Sequence, residues 1–442
     1  MSATPEVFTS IRLVALLLLG ATLCGTTRAQ PPVSPIQTAG SLATYELIGR
    51  YDVARLNRIL TEEIPRATGA TVAYTPAKCA VKLYRVTYSS RIPEQENRPT
   101  RASGLIAIPE NAAGNMPLVS YQHGTVLGRT DVPSFSEESF ETRLMIAQFA
   151  SQGYVLIGAD YFGLGTSTEK DGYMVMRSQQ QACLDMHVAA LAVLKQEEVT
   201  PTSLFLTGWS QGGVVTMGFL ELLERLQIPV TAAGTACAQC DGFVMLNGFL
   251  NFPRPIDAPW LSAVFILTAF SFEEYHNVPG LAESLFTPEA YPIAKGIYLK
   301  DGSVDPAQLP TDLRTLIRSE YFDPAFFKAS AYGRLISTMH PYRWVIRTPV
   351  RMFYGEVDEC LTIGLARLPM EYQQALGNTT VEAISTGSDA NHRMAFARAV
   401  PEWKKWFDTL SAKEPCPSHE CPVASQSQPP REPADAETLH KN

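Results

Sequence analysis

A serine flanked by glycines is the feature of this sequence that most clearly points to chemistry. The motif at 208–212 has the pattern Gly-x-Ser-x-Gly, with Ser210 at its centre. An apolar run at 203–207 precedes it and predicts a strand, and a helix is predicted over 214–226. A turn between such a strand and helix holds the serine hydroxyl outward on a strained backbone, where it can act as a nucleophile. The simpler alternative is a glycine-rich turn with an incidental serine.

The base that would activate this serine is predicted by elimination. A serine hydroxyl is a weak nucleophile, so it needs a base, and the base needs an orienting acid. Sites of this kind keep the chain order serine, acid, histidine, and His392 alone fits, in a loop at 387–392 after the last predicted strand. The alternative is a histidine in a surface loop. The histidines that order or location excludes are His123, His187, His276, His340, His419 and His440.

The best-placed acid follows the predicted strand over 350–355. Asp358 comes just past the end of that strand, and Glu356 is the reserve candidate. Asp389 is close to His392 in sequence, but it lies in the same loop and is better suited to capping or solvating that loop.

The negatively charged oxygen of a tetrahedral intermediate needs two fixed N–H donors. One candidate is the backbone N–H of Gln211, directly after the serine and at the start of a helix. The second is predicted in the loop after the strand at 117–121, with Thr125 as the first candidate and Gly124 beside it. His123 is expected to brace this loop by hydrogen bonds rather than to act as a base.

These candidates lie at the ends of alternating strands and helices, which predict a parallel sheet with helices on both faces. The strands are nearly continuous apolar runs, as expected where both faces of a sheet are buried. Strands are predicted at 82–88, 101–109, 117–121, 154–160, 203–207, 350–355 and 381–384. Helices are predicted at 51–60, 140–152, 174–195, 214–226, 365–376 and 393–410.

Residues 242–346 interrupt this alternation. They are rich in aromatic residues and proline, so they are predicted to form a cap or lid inserted before the strand that carries the acid. An apolar run at 259–270 is too short to span a membrane and predicts a buried or interfacial helix. An apolar lid suits an acyl chain or an aromatic ester, and plain cap core is the alternative. Tyr161, Phe162 and Trp209 flank the expected pocket and are candidates to line it.

The N-terminus has the pattern of a secretory signal. Arg12 precedes an apolar run at 13–23, and small residues ending at Ala29 offer a cleavage position. An uncleaved anchor is the alternative. Cleavage would take the net charge from −8 to −9 and imply a secreted or periplasmic protein. The predicted organisation is a signal peptide at 1–29, an N-terminal leader at 30–80, the first part of the core at 81–241, the cap at 242–346, the second part of the core at 347–410 and a disordered tail at 411–442.

Seven of the eight cysteines follow the predicted cleavage position. In an oxidising compartment they are expected to form local or cross-loop disulfides, with at least one left over because the number is odd. Cys237 and Cys240 could instead form a redox or zinc half-site, whose only candidate complement lies at 416–421. Structural zinc sites need two compact ligand pairs, so no metal is predicted.

The composition excludes several classes of protein. The 442 residues are 45% hydrophobic and 18% charged, which rules out disorder across the whole chain. A negative net charge of −8 and the lack of a Lys/Arg cluster argue against a nucleic-acid partner. Collagen, coiled-coil and polytopic membrane proteins are excluded because their repeats or long apolar spans are missing.

Together the motif at 208–212, the loop at 123–125, Asp358 and His392 resemble the α/β-hydrolase superfamily. The stretch 160–167 also looks like the D-x-x-G-x-G-x-S turn of that superfamily. The secretion signal and the insertion before the acid resemble secreted lipases and esterases. Over roughly 80–410, the resemblance implies an α/β-hydrolase fold and a Ser–His–Asp acyl-enzyme mechanism without metal or organic cofactor. The His-Gly-Thr loop departs from the longer glycine run of HGGG-type esterases.

Three functions are weighed. The first is a secreted carboxylesterase or lipase acting on a small-molecule ester or lipid, with no stable membrane span once the signal is removed. The second is a prolyl-oligopeptidase-like serine peptidase, although only 30–80 is available for the large N-terminal domain usual in such peptidases. The third is a non-catalytic binding protein on a hydrolase scaffold, against which the complete triad argues. Acyl chain length and oligomeric state are left open.

Overall fold

The structure, a computed structural model, describes residues 43–110, 112 and 114–411. The predicted signal peptide, the first part of the leader and the tail beyond 411 lie outside these residues.

One mixed sheet of nine strands forms the centre of the described chain. Its order is β1-β2-β3-β5-β4-β6-β7-β8-β9. The pairs β1–β2, β2–β3 and β3–β5 are antiparallel, and every pair from β5–β4 to β8–β9 is parallel. The strands are β1 (Thr44–Tyr51), β2 (Val81–Ile92), β3 (Arg98–Pro109), β4 (Gly114–Gln122), β5 (Val155–Ala159), β6 (Val199–Trp209), β7 (Ala232–Ala236), β8 (Val350–Tyr354) and β9 (Val381–Ser385).

The central strands are buried because their residues are apolar on both faces. All of β5 is buried, as are the last residues of β4 and β6, so these three strands form the base on which the site is built. Two strands escaped the sequence analysis. The sheet begins at β1, inside the segment predicted to be a leader, and β7 has the sequence Ala-Ala-Gly-Thr-Ala, which carries little strand signal.

Helices cover both faces of the sheet. Helices α4 and α5 pack together on β6, whereas α3 and α14 pack together, with α14 against β7 and β8. The helices are α1 (Val53–Arg58), α2 (Ile64–Thr68), α3 (Phe140–Gln148), α4 (Met176–Gln196), α5 (Gln211–Arg225), α6 (Gly242–Asn251), α7 (Ser262–Tyr275), α8 (Leu281–Leu285), α9 (Tyr291–Leu299), α10 (Leu313–Leu316), α11 (Pro324–Ala329), α12 (Ala331–Ile336), α13 (Ile363–Ala375) and α14 (His392–Ser411).

The interrupting segment between β7 and β8 holds helices α6 to α12. Most of α7 is buried, which agrees with the apolar run predicted there. Polar contacts fasten this segment to the loop after β5. Lys300 forms an almost fully buried ion pair with Asp171, and the hydroxyls of Ser271 and Tyr298 donate to the Asp171 carbonyl at 2.7 and 2.9 Å. Breaking such a buried pair leaves an uncompensated charge, so these contacts hold the cap against the core.

No helix in the described part of the chain is long and apolar enough to cross a lipid bilayer.

The expectation of local or cross-loop disulfides is wrong among the described cysteines, which are all free thiols. Packing gives individual thiols other partners: Cys79 Sγ donates to the Ser151 carbonyl at 3.3 Å, and Cys237 Sγ to the His392 carbonyl at 3.6 Å. The free cysteines are Cys79, Cys183, Cys237, Cys240 and Cys360, and Cys416 and Cys421 lie outside the described residues.

Candidate active site

Ser210 lies on the sharp turn between β6 and α5. Its backbone has φ 56° and ψ −123°, a conformation that non-glycine residues rarely adopt. The flanking glycines are required by close contacts. A Cβ at Gly208 would lie 2.2 Å from the Gly212 carbonyl oxygen, and a Cβ at Gly212 would lie 2.0 Å from that of Gln122. Only a chain without side chains at these two positions can hold the serine in this turn.

His392 and Asp358 form a hydrogen-bonded pair. His392 begins α14 and Asp358 follows β8, and Nδ1 of the ring lies 3.0 and 2.9 Å from the two carboxylate oxygens. Because a carboxylate only accepts, we assign the proton to Nδ1. Oδ1 of Asp358 also accepts from the backbone N–H groups of Cys360 and Leu361 at 2.7 and 3.0 Å. The other ring nitrogen, Nε2, is buried and has no hydrogen-bond partner among the described residues, so it is free to take a proton.

Trp209, the residue before the predicted nucleophile Ser210, links Ser210 to this pair. Trp209 Nε1 donates to the His392 carbonyl at 3.2 Å, and the two rings lie 5.1 Å apart between centroids. The N–H of Ser210 donates to the carbonyl of Ala236, the last residue of β7, at 2.9 Å. The predicted serine, acid and histidine therefore lie at the same, carboxyl edge of the parallel strands.

Electrostatics favour an ion pair between Asp358 and His392. Burial alone would lower the pKa of His392, but the Asp358 charge and the hydrogen bond to it hold that pKa well above its usual range. Burial alone would raise the pKa of Asp358, but the His392 charge and hydrogen bonds from His392 and Cys237 hold it below its usual range. Each partner stabilises the charged form of the other.

The two predicted donor loops meet beside the serine. Thr125 and Gln211 both line the small cavity that contains Ser210. The N–H of Gln211 is at the first position of α5, where no intrahelical acceptor exists. Gly124 does not fit the predicted role, because its N–H donates to Glu141 Oε2 at 3.0 Å.

Glu141 was missed by the sequence analysis, since nothing in its spacing connects it to the loop at 123–125. It is buried on α3, accepts from the Tyr121 hydroxyl at 2.6 Å, and burial raises its pKa. His123 has the bracing role expected of it. Its ring nitrogens lie 2.8 Å from the Gly124 carbonyl and 3.1 Å from the Asp160 carbonyl. These side chains fix the loop that carries Thr125.

The chain matches no known family model, and no curated protein sequence matches it. Solved structures do match. A candidate hydrolase from Legionella pneumophila is 22% identical, with a TM-score of 0.71 over 84% of this chain and 99% of that one. The rice cell wall degrading esterase LipA from Xanthomonas oryzae, in a ligand-bound form, is 20% identical, with a TM-score of 0.69 over 84% and 97%. The chain has the α/β-hydrolase fold. Candida antarctica lipase A is more distant, at 15% identity and a TM-score of 0.55 over 78% of this chain and 77% of that one.

Within this α/β-hydrolase fold, the cap closes over the serine. The cavity at Ser210 has a volume of only about 10 Å³, close to the space that one water needs. Trp260, Leu261 and Val264 reach it from the cap. The lining residues are Thr125, Tyr173, Met174, Ser210, Gln211, Gln239, Met245, Trp260, Leu261 and Val264.

The three residues predicted to line the pocket are not in this lining. Tyr161 is stacked on the His123 ring at 4.2 Å and donates to the His123 carbonyl, and Phe162 is buried in the core. Trp209 packs between His392 and Phe396. Their nearness to the site in sequence was a poor guide because their side chains point into the packing behind it.

One set of metal-ligand side chains converges in the part of the chain that the structure describes. Single ligand atoms of Cys237, Asp358 and His392 all lie within 4.8 Å of one another. Asp358 and His392 already share a hydrogen bond, so a metal ion there would replace the contact that orients the His392 ring. We therefore assign the set to the orientation of His392.

Proposed function

We propose that this protein is a secreted or periplasmic serine hydrolase that cleaves carboxylic esters, as a carboxylesterase or lipase. The observation that carries the proposal is the buried Asp358–His392 pair at the edge of the sheet where the strained turn presents Ser210. The exported location rests on the signal-like sequence at 1–29 alone.

The geometry supports an acyl-enzyme mechanism. Ser210 Oγ attacks the ester carbonyl while His392 Nε2 accepts its proton, and Asp358 stabilises the resulting imidazolium. The N–H groups of Gln211 and Thr125 donate to the negatively charged carbonyl oxygen. The imidazolium then protonates the leaving alcohol. A water molecule then attacks the acyl-enzyme while His392 takes its proton, and the imidazolium returns that proton to Ser210 Oγ as the carboxylic acid is released.

The surroundings of the serine favour esters over peptides. The cap lines the cavity with apolar side chains, which suit the acyl or alcohol part of an ester and offer few partners to a peptide backbone. The neighbours whose activity is named are an esterase and a lipase. The cavity is small in this structure, at about 10 Å³, so we expect the cap to move away from Ser210 during turnover.

The nucleophile is tested with Ser210→Ala and the exposed control Ser385→Ala. We expect Ser210→Ala to abolish hydrolysis of p-nitrophenyl esters without changing the circular dichroism spectrum. Ser385→Ala should retain ester hydrolysis. A fluorophosphonate probe should label the peptide containing Ser210. Retained turnover in Ser210→Ala, or labelling at another serine, would refute the assignment.

The substrate class is tested with p-nitrophenyl esters from acetate to palmitate beside a prolyl-peptide substrate. Turnover of the esters supports the proposal, and faster turnover of the prolyl peptide would favour the peptidase.

Export is tested separately, by sequencing the N-terminus of the protein produced with its full signal. We expect it to begin at residue 30, and an intact Met1 would contradict cleavage.

A further inference from the structure

Cys237 lies between the strand that carries the nucleophile and the strand that carries the acid. It follows β7 directly, and its N–H donates to the carbonyl of Phe353 on β8 at 2.8 Å. Its φ of 51° lies in the left-handed region that favours glycine. A cysteine is therefore held here against the preference of the backbone, at a point where strain often marks a functional residue.

The thiol of Cys237 lies beside both members of the acid–base pair. Its Sγ is fully buried and donates to the His392 carbonyl at 3.6 Å. It also lies within 4.8 Å of a carboxylate oxygen of Asp358 and of a ring nitrogen of His392. Burial raises the pKa of this thiol, so it keeps its proton at neutral pH and acts as a donor.

We infer that Cys237 is a positioning residue for the Asp358–His392 pair, whose S–H proton is shared between the Asp358 carboxylate and the His392 carbonyl. The inference rests on the proposed function, because it assigns the thiol a part in the same reaction. It differs from the role of ordinary core packing, since the thiol acts through a hydrogen bond and not only through its volume.

The other donors to Asp358 show what the thiol adds. The N–H groups of Cys360 and Leu361 hold Oδ1 from within the same loop, so they fix the acid alone. Cys237 comes from the end of a different strand, where it donates to the main chain of the base and lies within 4.8 Å of the acid. It also withdraws negative charge from the carboxylate, which weakens the pull of Asp358 on the His392 proton.

Two substitutions at Cys237 separate the effect of losing the hydrogen-bond donor from the effect of losing side-chain volume. Cys237→Ala removes the S–H and leaves Asp358 with its full negative charge. We expect kcat to fall about 2- to 12-fold, as for loss of one weak hydrogen bond, with KM little changed. The acid limb of the kcat/KM profile should move to higher pH, because a less neutralised carboxylate raises the pKa of His392. Cys237→Ser restores a donor, and its stronger O–H should return kcat and move the acid limb below the wild-type position, because it neutralises the Asp358 carboxylate more than the thiol does.

The matched control is Cys240→Ala, which deletes a second buried thiol three residues along in the same loop. It should lower the melting temperature by about as much as Cys237→Ala but leave the acid limb in place. A third readout does not depend on turnover: the downfield NMR resonance of the His392 Nδ1 proton should shift in Cys237→Ala and not in Cys240→Ala.

The inference is overturned if Cys237→Ala and Cys240→Ala share one pH profile, or if Cys237→Ser behaves like Cys237→Ala. If Cys237→Ala does not fold, the profile and proton resonance of Cys237→Ser alone decide it, and unchanged values overturn it. Failure of the proposed function looks different, because the wild-type protein would then hydrolyse no ester and Ser210 would take no fluorophosphonate label.

Discussion

Replacing Asp358 with asparagine tests the electrostatic design of the site with almost no change in shape. Oδ1 accepts from two backbone N–H groups, at 2.7 and 3.0 Å, so the amide oxygen of the new residue must take that position. The amide NH₂ then faces His392 Nδ1, which lay 2.9 Å from Oδ2. Two donors cannot share one hydrogen bond, so the ring proton moves to Nε2 and the base loses the lone pair that should accept the proton of Ser210.

The expected loss follows from that change of tautomer. Trapping the base in the wrong tautomer lowers kcat by a factor on the order of 10⁴, equivalent to about 5 kcal/mol in the activation barrier. In Asp358→Asn the remaining activity should also show its acid limb at lower pH, because the carboxylate charge that raises the pKa of His392 is gone. In the wild-type protein the limb should lie above about pH 6.5, since only the neutral ring accepts a proton.

The assay is steady-state hydrolysis of p-nitrophenyl acetate across pH, with thermal melting to confirm folding. The matched controls are Glu356→Gln and Asp389→Asn. Both carboxylates have local partners, since Glu356 accepts from Ser385 at 2.6 Å and Asp389 pairs with Arg398 at 2.8 Å. These variants should stay within about twofold of wild type. If Asp358→Asn keeps more than a tenth of the wild-type activity, the acid is wrongly assigned. The same conclusion follows if either control variant loses more activity than Asp358→Asn does.

The turn at Ser210 and the buried side chain of His187 each allow a further test. Gly212→Ala forces a Cβ to within 2.0 Å of the Gln122 carbonyl and should cost about 1–3 kcal/mol of stability and most ester turnover, whereas Gly248→Ala, with nothing within 4 Å, should not. Equal melting temperatures and activities for the two would contradict the packing argument. Burial lowers the pKa of His187 to about 4, so the unfolded chain binds the proton first. Its contribution, about 3 kcal/mol, is present above pH 6.5 and lost as pH falls towards 4, and urea unfolding of His187→Gln should lack this pH dependence. If the free energy of unfolding changes with pH by the same amount in the wild-type protein and in His187→Gln, His187 is not the cause of that pH dependence.

Local chemistry made much of the site predictable. The turn at 208–212 needs glycines at fixed offsets from the serine, and the apolar runs around it specify a buried strand and a helix. Parallel strands end at the same edge of a sheet. Asp358 and His392 each follow the end of a predicted strand, so they could be expected to meet the serine. The predicted strands at 82–88, 117–121 and 203–207 correspond to β2, β4 and β6, because their alternating or continuous apolar residues suit a buried sheet.

Tertiary structure alone decided which neighbours each group has. The Ala-rich β7 is a strand because it completes the sheet between β6 and β8, not because its residues prefer that state. The N–H of Gly124 is occupied by the Glu141 carboxylate and cannot serve the predicted role. Trp209 and Tyr161 pack against Phe396 and His123 instead of lining the cavity. Short-range sequence patterns carry backbone geometry and burial. Partnerships such as that of Cys237 with His392, 155 residues apart, arise only when the whole sheet has brought its strands together.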